Sequence, residues 1–145
     1  MFQASLCINA KGGSSMYTIR DYLQYYKNAS IKDVHWNAVD NMLCAILVYL
    51  PLKSFAGSKS IKEFYSYAQR FAGEAKESIM VPTAYELLEL MYDSLRYKNL
   101  KICNWENTKT EELQFGAATF RIGGDTIISY KGTDYSFIGW IENFR

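Results

Sequence analysis

Two β-like runs, residues 113–122 and 126–131, flank Gly123-Gly124-Asp125 near the end of the chain. Glycine between apolar runs marks a tight hairpin, because the turns that match strand twist need positive φ. A two-stranded hairpin alone is marginal in water. The rest of the fold must therefore support this one, through helices, further strands or a partner chain that covers its exposed edges.

What precedes the hairpin is mainly helical in pattern. Residues 1–15 end in Lys-Gly-Gly-Ser-Ser and read as irregular. Over residues 16–27, Ile19, Leu23 and Tyr26 share one helical face, and residues 28–33 read as a connection. Val39, Leu43, Ile46, Leu47 and Leu50 then recur at the spacing of one helical stripe. Asn37 with Asp40 suits the start of that helix, and Pro51 its stop. Ser60 and Glu63 form a capping-box signature ahead of Ile61, Phe64, Tyr65, Ala68 and Phe71, with Gly73 closing the run. Pro82, Thr83 and Glu86 open a fourth helix, striped by Leu87, Leu88, Met91 and Leu95. Residues 104–112 are polar and read as a loop. The expected plan is a single domain over 1–145: an irregular start, 16–100 mainly helical, a hairpin over 113–131, and a loop with the start of a helix over 132–145.

Composition narrows the function. At 145 residues, 49% hydrophobic and 21% charged, the chain is an ordinary globular domain. A net charge of +1 argues against a phosphate-binding footprint and so against nucleic acid. The tyrosine rows at Tyr22, Tyr25 and Tyr26 and at Tyr65 and Tyr67 suit base stacking, but helical packing explains them more simply. The longest apolar run, residues 42–52, falls far short of the roughly 20 residues a membrane span needs. Residues 1–10 show no signal-peptide pattern. Cys7, Cys44 and Cys103 are odd in number and widely spaced, which reads as free thiols in the reducing cytoplasm. With His35 the sole histidine, no metal site is expected, and no cofactor is implied.

No self-contained catalytic set is present. There is no Gly-x-Ser-x-Gly elbow: Ser14-Ser15 and the stretch from Ser58 to Ser60 follow glycine but lack the second one. No phosphate loop occurs, and Glu111-Glu112 reads as solvated. His35, at the head of the strongest helix, reads as a surface or capping residue, and Trp105 as a loop plug or a partner anchor.

The informative stretch is Tyr130-Lys131-Gly132-Thr133-Asp134, followed by Gly139-Trp140-Ile141-Glu142-Asn143-Phe144. It resembles the Phe-Arg-Gly-Thr-Asp and Gly-Trp-x-Glu-Asp-Phe segments of the Mbeg-like bacterial proteins, α/β-hydrolases related to the class 3 lipases. Asp21-Tyr22-Leu23, the run from Trp36 to Asn41, Tyr49-Leu50 and the run from Phe115 to Arg121 are similar to upstream parts of that family, while residues 53–110 add only helical pattern. The resemblance implies an α/β fold, with N-terminal helices and the first strands of an incomplete hydrolase domain. It implies that Thr133 occupies an oxyanion-hole position. Gly132 permits the turn that presents it, and Asp134 and Trp140 support the loop. Lys131 replaces the family's Arg, and Asn143 its Asp. The family's Gly-His-Ser-x-Gly-Gly elbow, acid and histidine lie downstream of this segment, and the chain contains none of them. The function expected is therefore the N-terminal part of a serine hydrolase acting on a small ester or acyl substrate, inactive by itself. The alternative is a non-catalytic helical interaction protein or a vestigial truncated product.

Overall fold

The computed structural model describes residues 5–6, 17–74, 80–109 and 114–132. Within them four helices cover one face of a four-stranded antiparallel sheet. The sheet runs in sequence order, β3-β4-β5-β6, from strands Phe55–Ser60, Lys101–Lys109, Gln114–Ile122 and Asp125–Lys131. A separate two-residue pairing joins β1 (Ser5–Leu6) to β2 (Tyr17–Thr18). The expectation of a mixed helix-and-strand, α/β-like fold holds at that level. None of the helices in the described residues is long and apolar enough to cross a membrane.

Local sequence explains the helix starts. Helix α1 (Ile19–Tyr25) begins at Thr18, whose hydroxyl accepts from the Asp21 N–H while Asp21 accepts from the Thr18 N–H. The Asn37–Asp40 pair caps α2 (Ala38–Leu47) in the same way, and Ser60–Glu63 caps α3 (Ile61–Gln69). Each reciprocal cap satisfies two N–H groups that a helix start leaves orphaned. Helix α4 (Met80–Tyr92) buries Val81, Ala84, Leu87, Leu88 and Met91. It stops before Leu95, which lies exposed in a 3-10 turn, Leu95–Tyr97. The predicted α4 stripe was therefore one turn too long.

The hairpin forms where the glycines place it. Ile122 pairs with Asp125 across a two-residue turn. Of its two glycines only Gly123 has a positive φ, 58°, the pattern of a II′ turn.

The stretch read as a loop, residues 104–112, is a strand as far as Lys109. Its alternation is broken by a bulge. Ile102 and Trp105 are three apart, yet both are fully buried in the core. A regular strand would send them to opposite faces. The register shifts between Cys103 and Glu106, and the extra residue Asn104 takes a positive φ of 50°. Facing it, β3 is irregular between Phe55 and Ser58, with Gly57 at φ 88°. The Asn104 side chain bridges the two strands by accepting from the Gly57 N–H at 3.0 Å. Trp105, expected in a loop, packs instead against Phe55 and Phe64.

The core lies between the layers: Leu43, Leu47, Phe64, Leu88 and Met91 from the helices meet Ile102, Trp105, Ala118 and Phe120 from the sheet. Buried Gly116 lets β5 and β6 close up, since a Cβ on it would stand 2.9 Å from the Lys131 Cβ. Gly116→Val is expected to destabilise the chain by about 1–3 kcal/mol through overpacking, read as a lower urea midpoint. An unchanged midpoint would show that the strands can part at no cost.

Candidate functional site

The sequence points to the residues that follow β6, and the sheet holds the end of that strand firmly. Lys131 ends the strand opposite Gly116, and Gly116 pairs in turn with Asn107 on β4. Asn107 is tied to the segment that follows α2: its side-chain amide donates to the Leu52 carbonyl at 2.7 Å, and its N–H to the Ser54 hydroxyl at 2.9 Å. Tyr49, from the same segment, lies under the Lys131 ammonium, 5.7 Å from ring centroid to nitrogen. The exit of α2 thus braces the end of β6. Lys131 makes a cation–π contact there, as a point charge without the planar fork of a guanidinium. Gly132 follows it, exposed. Thr133, Asp134 and Trp140 lie outside the described residues.

A second cluster, buried under the helices, was only half read from sequence. Asp40 has no exposure to solvent. Its Oδ1 accepts from Arg96 Nε at 3.1 Å and from the Tyr97 hydroxyl at 2.7 Å. Its Oδ2 accepts from Arg96 Nη2 at 2.7 Å, from the Asn37 N–H at 2.9 Å and from the Tyr22 hydroxyl at 3.2 Å. Arg96 also donates to the carbonyls of Val34, at 2.6 Å, and His35, at 3.1 Å. Burial works against a charged Arg96, but its bonds and attraction to Asp40 outweigh this and raise its pKa. Burial lifts the Tyr22 hydroxyl to about 12, although donation from Asn37 opposes the rise. Burial and then Asp40 raise Tyr97 further.

This arrangement suits structure better than catalysis. Five donors already occupy the carboxylate, and the cluster is closed to solvent. The neighbouring Cys44 thiol is pushed up by burial and then by Asp40, which removes it as a nucleophile. His35 is exposed and contributes its carbonyl, consistent with a surface residue. The fold brings none of these groups into a nucleophile–base pair with a free face. Among the described residues no three His, Cys, Asp or Glu side chains gather where a metal ion could bind.

An open cleft of about 550 Å³ lies between α3 and α4, lined by Tyr65, Gln69, Tyr85 and Glu86 among others. Two of its polar groups are engaged. Glu86 pairs with Arg20, and the Tyr85 hydroxyl donates to the Ala68 carbonyl at 2.7 Å. Burial, then Glu74, lifts that hydroxyl to about 12.

The Mbeg1-like family model matches residues 91–145. This stretch holds β4, β5 and β6, Gly132, and the segment with Thr133, Asp134 and Trp140. The likenesses noted at Asp21 to Leu23 and at Trp36 to Asn41 fall outside it. No curated protein and no solved structure matches the chain.

The buried tyrosines set an alkaline limit on stability. Their folded-state pKa values lie above the ordinary 10.0, so their contribution is complete below about pH 10; that of Tyr22 is lost as pH rises through about 12, and that of Tyr97 only at higher pH. Urea unfolding is expected to give a free energy that is level to about pH 10 and then falls, by up to ~1.4 kcal/mol per pH unit per group. The Tyr22→Phe, Tyr97→Phe double variant should show a shallower fall above pH 10. An identical slope would mean these hydroxyls ionise freely in the folded chain.

Proposed function

We propose that the chain forms the front section of an acyl-ester hydrolase domain and supplies one wall of its oxyanion hole. The observation that carries this reading is the exit of β6: a strand at the open edge of the sheet, braced by Tyr49 and Gly116, ends at Lys131 and passes into an exposed glycine followed by threonine. An oxyanion hole needs N–H or hydroxyl donors fixed on rigid elements, aimed where charge develops on the substrate oxygen. In this reading Thr133 provides such donors from its backbone and side chain. Asp134 and Trp140 steady the loop. The serine, histidine and acid come from strands added beyond β6, and the 145-residue chain alone does not turn over substrate.

The Mbeg1-like match supports the reading at family level, because it takes in the strands and the whole turn segment. A non-catalytic interaction module is the second reading. It is favoured by exposed Ile128 and Tyr130 on the edge strand.

Translating the native gene beyond the Arg145 codon separates the two. The hydrolase reading expects a Gly-His-Ser-x-Gly-Gly stretch, in frame or frame-shifted. In a chain carrying it, Thr133→Val is expected to lower kcat for a short p-nitrophenyl ester by about 10²–10³ with little change in KM, and Thr133→Ser to keep most of it. Absence of the elbow, or full activity in Thr133→Val, would overturn the proposal.

A further inference from the structure

β6 closes the sheet order β3-β4-β5-β6, and its outer edge has no neighbour among the described residues. Such an edge offers a row of unpaired N–H and C=O groups to another strand. Which groups these are follows from the hairpin. A two-residue turn closes on a hydrogen-bonded pair, here Ile122–Asp125, and hydrogen-bonded pairs then alternate along the ladder. Asp125, Ile127, Ser129 and Lys131 therefore bond towards β5. Thr126, Ile128 and Tyr130 turn their backbone groups outward.

The side chains of those same three residues are exposed, with Ile128 at 57% and Tyr130 at 64%. Sheet proteins usually protect such an edge with lysine, proline or a bulge in mid-strand. β6 has none of these between its ends. Its only charges are Asp125 at the start and Lys131 at the finish.

That placement makes the strand complementary to itself. We infer that β6 pairs antiparallel with β6 of a second copy of this chain, about a two-fold axis at Ile128. In this register Ile128 faces its own copy, Thr126 faces Tyr130, and Asp125 faces Lys131 at both ends. Every outward N–H and C=O of Thr126, Ile128 and Tyr130 finds a partner. The opposed Asp125 and Lys131 sit on one face of the joined sheet, as cross-strand ion pairs require. A slip of one step in either direction leaves Lys131 opposite Gly123 or Ile127 and undoes both ion pairs. The interface is isologous, so it closes at two copies and does not propagate along this edge.

The inference does not rest on the hydrolase reading, and a monomeric chain would leave that reading untouched. Sedimentation equilibrium of the full chain at low salt is the test. The expected result is a concentration-dependent rise from the 16.7 kDa chain mass towards twice that value. Ile128→Lys should abolish the rise with an unchanged circular dichroism spectrum. Asp125→Lys or Lys131→Glu alone should weaken dimerisation by about fivefold or more, and the two together should restore it. Because Asp125 is exposed beside the turn, its variant tests the register even if a change at Lys131 unsettles the fold. A monomer at all concentrations would overturn the inference. So would dimers that survive Ile128→Lys, or a folded double charge reversal that stays as weak as the single variants.

Discussion

A carboxylate sealed from water organises this fold. Removing Asp40 and Arg96 from solvent costs several kcal/mol for each ion, and only close, well-directed partners offset that. The chain meets the requirement by drawing four segments to one point. Tyr22 comes from α1, the carbonyls of Val34 and His35 from the connection before α2, Asp40 from the first turn of α2, and Arg96 with Tyr97 from the turn ahead of β4. Arg96 suits the position because its fork reaches both carboxylate oxygens and two carbonyls at once. The turn so anchored leads to Leu100, fully buried, and to the first residue of β4.

The sheet is asymmetric. One face packs on the helices, while Phe115, Ile128 and Tyr130 remain exposed. The strand farthest along the sheet order ends at Lys131, just ahead of Gly132 and Thr133. Its end is braced from the helical side, through Tyr49 and the Leu52–Asn107 bond, so the exit of α2 and the exit of β6 are fixed together. Asp40 and Arg96 are fully partnered in the interior, while the buried Trp105 indole N–H has no hydrogen-bond partner. The outer edge of β6 has no neighbour among the described residues, and both the hydrolase reading and the pairing of two copies look for chemistry at this strand.

Features set by neighbours in sequence were legible. The reciprocal caps at Asn37–Asp40 and Ser60–Glu63 follow from residues three apart, and the hairpin from two adjacent glycines. Features set by distant residues were not. β4 escaped because a one-residue bulge at Asn104 breaks the alternation that would betray a strand. β3 escaped because Ala56, Gly57 and Ser58 have little strand preference and gain their conformation from pairing with β4. Asp40 was recognised as a cap but not as an ion-pair partner, since Arg96 lies 56 residues away. Its clue was an arginine set between Leu95 and Tyr97. Of the turn singled out for function, Gly132 is described, while Thr133, Asp134 and Trp140 lie beyond the described residues.

The central claim is that Asp40 and Arg96 act as one unit, and a double-mutant cycle measures it. Urea unfolding of Asp40→Asn, Arg96→Met and the double variant gives the coupling directly. Each single change is expected to cost about 3–5 kcal/mol, because it strands a buried partner, and the double variant little more than either alone. Losses that simply add, to within about 0.5 kcal/mol, would contradict the account and make the pair incidental to the fold.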